Sequence, residues 1–175
     1  MLLAQHGVVA SQERLTDLAE LAATIGEYGA RVDQLARAVA WLREGVRLWY
    51  KTHATADDLT ALVCGHRCPA GVEWQGFFEE SEEDEDFVEG EYGHYSIVVS
   101  VDRRRGLITL RDPYPDFCRA DRVFPLDWFI SRWWDVNLKP NPKTGRLRPV
   151  EDRRMLFVIT GKRARFPVRL GMTQG

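Results

Sequence analysis

Gly93-His94-Tyr95-Ser96-Ile97-Val98-Val99 and, after a short basic turn, Leu107-Ile108-Thr109-Leu110-Arg111-Asp112-Pro113 read as two β-strands joined by a tight connection. A histidine opens the first strand and an aspartate closes the second. Side chains alternate faces along a strand. If the connecting loop, Asp102 to Gly106, has an odd number of residues, His94 and Asp112 share a face at the open end of the hairpin. An aspartate so placed accepts the imidazole N–H, fixes the tautomer and stabilises the imidazolium. A slip of one residue separates the two. The plainer reading of the same residues is a strand-start histidine and a solvated loop aspartate before a proline.

Around this hairpin the chain reads as helices first and strands after. Met1 to Gln5 has the pattern of a last helical turn, stopped by Gly7. Ser11 is a candidate N-cap for a helix over Gln12 to Ala23, with Leu15, Leu18, Ala19 and Ala22 as its apolar stripe. A second helix is expected over Arg31 to Leu42. Val46 to Tyr50 reads as a short strand, Thr55 as the cap of a helix over Ala56 to Val63, and Gly71 to Phe77 as a strand. Phe124 to Trp134 reads as an aromatic helix or turn, Asn137 to Arg148 as a loop, Met155 to Thr160 as a last strand, and the residues from Gly161 as a loose basic tail. This order predicts an α+β domain over residues 1–160 with a mostly antiparallel sheet. The segment Glu79 to Glu91 is almost wholly acidic. It reads as a solvated loop, or as a gate favouring basic substrates, or as a weak calcium site.

Composition bounds the function. The chain has 175 residues, 45% hydrophobic and 29% charged, with a formal net charge of -2. That is the profile of a globular domain with no overall pull toward nucleic acid. No apolar run approaches a membrane span, and the N-terminus lacks the basic and apolar regions of a signal peptide, so as written the chain is expected in the cytoplasm. Arg103-Arg104-Arg105 alone does not make a nucleic-acid site. Three cysteines cannot all pair. Cys64, His66 and Cys68 have ligand-like spacing, but a structural zinc site needs four ligands, and no cofactor is expected. Cys68-Pro69 precedes a strand, so Cys68 lacks the helix dipole that would lower its thiol pKa. Cys118 lies just beyond Asp112 and reads as a structural thiol.

The segments in sequence, a helix ending at Gly7, Gln12-Glu13-Arg14-Leu15-Thr16-Asp17-Leu18, Ala54 to Val63, Val72-Glu73-Trp74-Gln75-Gly76-Phe77, Gly93 to Asp102, Ile108 to Tyr114 and Phe124 to Asp135, resemble those of a known family. It is the peptidase domain of the bacterial bacteriocin-processing, double-glycine-leader cysteine peptidases (cysteine peptidase family 39-like). The resemblance runs from Met1 to about Asp135, with a closing strand at Met155 to Thr160. It implies a papain-like fold and thiol-dependent cleavage of a peptide or protein substrate. His94 matches the family's base and Asp112 its orienting residue. The nucleophilic cysteine and the oxyanion-hole glutamine belong to a helix that would end in a segment like Met1 to Gly7. The cysteine is therefore expected about two turns, roughly seven residues, ahead of Met1. Without it the chain is expected to be inactive. A peptide-binding pseudopeptidase and an acyl-transfer enzyme on the same scaffold are the alternatives. Trp74, Gln75, Tyr95 and Trp128 are candidate cleft-lining residues; Trp128, Trp133 and Trp134 read equally as core.

Overall fold

Seven strands hydrogen-bond into one sheet in the order Arg122–Pro125, Leu107–Arg111, Gly93–Asp102, Ala70–Gln75, Leu156–Gly161, Val46–Lys51, Thr173–Gln174, and every pairing is antiparallel. The computed structural model describes residues 1–20, 29–76, 93–115 and 117–175. The strands are β1 (Val46–Lys51), β2 (Ala70–Gln75), β3 (Gly93–Asp102), β4 (Leu107–Arg111), β5 (Arg122–Pro125), β8 (Leu156–Gly161) and β9 (Thr173–Gln174). Two further strands, β6 (Trp134–Pro140) and β7 (Leu147–Arg153), form a separate ribbon. The expected class, α+β with a mostly antiparallel sheet, is therefore present. The acidic segment lies outside the described residues.

Helices cover both faces of the sheet, and the strand sequences show why. Val72, Trp74, Val98, Leu110, Leu156 and Val158 point to one side, where they pack with Leu59, Leu62, Phe129 and Trp133. Leu48, Phe157 and Ile159 point to the other, where they meet Val32, Ala36, Val39 and Leu42. These four lie on one stripe of α2 (Val32–Leu42), at the spacing a buried helix face needs. With both faces covered, even the strand positions that alternation assigns to solvent become interior.

Local signals set the helix ends. Ser11 accepts the Arg14 N–H and caps α1 (Gln12–Leu18). Thr55 and Asp58 make a reciprocal capping box at α3 (Ala56–Thr60), which continues as a π-helical turn to Gly65. Gly7 stops the short 3-10 turn Ala4–His6 at φ +71°, a conformation glycine adopts without strain. The aromatic segment forms α4 (Leu126–Arg132).

Two expectations are corrected. Asn137 to Arg148 is not a loop: its ends belong to the β6–β7 ribbon, and only the turn around Asn141 is irregular. Pro140 and Pro149 are tolerated because a two-stranded ribbon has open edges. The residues after Gly161 are not loose. The short helix α5 (Phe166–Arg169) follows, Met172 is buried, β9 pairs with β1, and the Gly175 N–H donates to the Leu48 carbonyl at 3.1 Å. Among the described residues no helix is long and apolar enough to cross a membrane.

Candidate functional site

The β3–β4 hairpin brings His94 and Asp112 onto one face, though not by the loop parity expected. Asp102 pairs with Leu107, so the connection has four residues, Arg103 to Gly106. Carried on without interruption, that register would set Asp112 opposite Ile97, on the face away from His94. Instead the register shifts between Val98 and Ser100, where Val99 is the extra residue of a β-bulge. Beyond the bulge Ile97 pairs with Arg111, which sets Asp112 beside Ser96 and on the His94 side.

The two side chains meet directly. His94 Nε2 lies 2.8 Å from Asp112 Oδ1. With Nε2–H donating to the carboxylate, the lone pair of the neutral ring sits on Nδ1. Asp112 is 1% exposed and His94 15%, so the carboxylate is interior and the imidazole reaches the surface. Three further donors fix Asp112. The Tyr114 N–H donates to Oδ1 at 2.9 Å, Ser96 Oγ donates to Oδ2 at 3.2 Å, and Arg122 Nη1 approaches Oδ2 at 3.4 Å. Behind them Trp74 Nε1 donates to Ser96 Oγ at 3.0 Å, so the hydroxyl is held to give its own hydrogen to Asp112. Burial by itself would raise the Asp112 carboxyl. The bonds from His94, Tyr114 and Ser96 outweigh it and hold the group below its usual 3.8. The pair is thus an ionised carboxylate orienting an imidazole, the arrangement that lets a histidine take and return a proton.

Ser96 and Arg122 were not singled out from the sequence. Ser96 was findable, since two residues from His94 on a strand is the same face. The Arg122 guanidinium stands 4.0 Å from the Phe117 ring centre, and nothing in its spacing marks it. Asp135 also comes to this end of the sheet. A Cβ on Gly93 would lie 2.3 Å from Asp135 Oδ2, so the residue before His94 is a glycine because a carboxylate rests on it. Gln75 Nε2 donates to that carboxylate at 3.1 Å.

The expected cleft residues are placed differently. Trp74 is fully buried and supports the pair from beneath, packed on Phe124 and Phe129. Gln75 is 3% exposed and occupied with Trp134 and Asp135. Tyr95 points to the opposite face and bonds Glu73 and Ala30. Trp128 is half-buried and stacked on Phe124 at 5.1 Å. Trp133 is core. An apolar cavity of about 500 Å³, lined by Leu3, Leu15, Leu35, Ile97 and Phe157 among others, lies on the Tyr95 face of the sheet, opposite His94.

The three thiols each rest on a backbone carbonyl, Cys64 on Val101, Cys68 on Pro69 and Cys118 on Pro115. Burial pushes the Cys68 thiol up to about 11, which removes its thiolate at neutral pH. His66 stacks on Phe166. Among the described residues no group of three or more His, Cys, Asp or Glu comes together as a metal site.

Compared with models of protein families, with curated proteins and with solved structures, the chain has no match.

Proposed function

We propose that His94 and Asp112 are the base and the orienting carboxylate of a papain-like, thiol-dependent peptide or amide hydrolase. The observation that carries this reading is the 2.8 Å contact between an interior carboxylate and a histidine at the surface, with Asp112 held by three other donors. A carboxylate so fixed costs no reorganisation when the imidazolium forms. Nδ1 would then take the proton of a cysteine thiol, the thiolate would attack the carbonyl carbon, and the imidazolium would return the proton to the leaving amine. Water would hydrolyse the resulting thiol ester with His94 again as base. The nucleophile is the cysteine that the family resemblance sets ahead of Met1.

The test is a chain extended upstream with its native sequence, treated with a thiol-directed peptide probe. Single-site labelling that is lost in His94→Ala is expected. An extended chain that carries a cysteine at the expected place and does not react would overturn the reading.

One observation favours a second reading, a non-catalytic peptide-binding module: Cys64, Cys68 and Cys118 each hydrogen-bond a backbone carbonyl rather than His94. In that case His94→Ala leaves peptide binding nearly unchanged, and a large loss of binding counts against it.

A further inference from the structure

On the face of the sheet opposite His94, Glu73 lies in the middle of β2 and is 2% exposed. Burying a carboxyl is costly unless it is paired or neutral. Its Oε1 is within 2.7 Å of the Tyr95 hydroxyl and 3.0 Å of Asn137 Nδ2. Its Oε2 has no hydrogen-bond partner among the described residues.

The hydrogen count around Tyr95 tells which form is present. The phenol has one hydrogen, yet its oxygen lies 2.9 Å from the Ala30 carbonyl as well as 2.7 Å from Glu73. A carbonyl only accepts. Both bonds are made at once when Tyr95 donates to Ala30 and a protonated Glu73 donates to Tyr95. In the same direction, burial, followed by the nearby carboxylates of Asp135 and Asp152, pushes Glu73 up to about 7, even though Asn137 and, in the ionised form, Tyr95 would donate to it.

Glu73 also lines a cavity of about 290 Å³ between β2, the start of α2 and the β6–β7 ribbon. The other charges in its wall are already matched. Lys139 Nζ sits 2.7 Å from Asp152 Oδ1, and Arg31 holds Asp33 at 2.8 Å. Once ionised, Glu73 leaves the wall one negative charge in excess. The remaining lining includes the apolar Val32, Pro140 and Met155 and the Tyr50 ring.

We propose that this cavity binds a primary ammonium group on a short alkyl chain, with Glu73 as its counter-ion. The cation supplies the charge the wall lacks, the Tyr50 ring and the apolar lining take the alkyl stem, and Glu73 releases its proton to solvent as the cation enters. Binding therefore strengthens as pH rises toward 7 and levels off above it. The site stands apart from His94 and does not depend on the hydrolase reading.

The experiment is an NMR titration of the Glu73 carboxyl carbon in the intact chain, with n-butylammonium chloride as probe and n-butanol as its neutral counterpart. The amine should lower the Glu73 midpoint by at least roughly one pH unit, a tenfold linkage, and shift the amide signals of Thr52 and Lys139. Butanol should do neither. Glu73→Gln should bind the amine at least roughly tenfold more weakly at pH 8 and lose the pH dependence. An unmoved midpoint at the solubility limit of the amine, equal effects of butanol, or undiminished binding by a folded Glu73→Gln would each overturn the proposal. If that variant does not fold, the wild-type titration decides alone.

Discussion

Replacing Glu73 by glutamine should change how stability depends on pH, and the structure sets the size of the change. In the unfolded chain the carboxyl titrates near 4.5, and in the fold near 7. Between these values the folded state binds more protons than the unfolded one. The stability from this group is full below about pH 4.5 and falls as pH rises to about 7. The loss over that window is about 3 kcal/mol. Glutamine does not titrate. At low pH the variant should be the less stable by about 1 kcal/mol, because no single atom of its amide can both accept from Asn137 and donate to Tyr95 as the hydroxyl oxygen of the protonated carboxyl does. At pH 8 the order should reverse, with the variant ahead by about 2 kcal/mol. Urea unfolding of both proteins at several pH values measures this difference, and titrations common to both cancel. Parallel stability curves would refute the assignment of a buried, protonated Glu73.

Further outcomes follow from the site and from the packing of the sheet. Asp112→Ala should cost about 3 kcal/mol in urea unfolding, since it removes the buried acceptor that His94, Tyr114, Ser96 and Arg122 share, while Asp112→Asn should cost less. Asp112 is held below 3.8, so its stabilisation is present above that pH and is lost as pH falls through the lower folded value; the Asp112→Ala deficit should shrink in acid. Deleting Val99, the extra residue between two paired ones, should make Val98–Leu110 and Ser100–Thr109 consecutive pairs and keep Asp112 beside Ser96, so the His94–Asp112 hydrogen bond should persist by NMR; its loss in a chain that still folds would refute the bulge assignment. Gly71→Ala would put a Cβ 2.2 Å from Phe157 Cζ, and should lower stability by about 1–3 kcal/mol in thermal or urea melts.

The hairpin was legible because alternation, a basic turn and Gly106 all point the same way. Helix starts at Ser11 and Thr55 were legible because capping is local chemistry. The bulge at Val99 was not, because no glycine or proline marks it and its only sign is the tertiary pairing. The β6–β7 ribbon was hidden by Pro140, Pro142, Lys143 and Gly145, which have loop composition: Pro140 is the last residue of β6 and the other three lie in the turn that follows. The docked C-terminus was hidden because its anchors, Phe166, Leu170 and Met172, are scattered without a period. At the site, His94 and Asp112 could be read from their strand positions. Their supports could not: Trp74 and Gln75 looked like cleft residues because a strand with helices on both faces has no solvent side. Glu73 escaped notice for the same reason.

The most direct test of the thiol-hydrolase reading is the intact mass of the protein purified from its native host, before and after a thiol-directed peptide probe. A mass above that of the 20.1 kDa chain, by an N-terminal extension containing a cysteine, with uptake of one probe molecule that His94→Ala abolishes, is the expected result. A mass equal to that of residues 1–175, with no probe taken up, would contradict it.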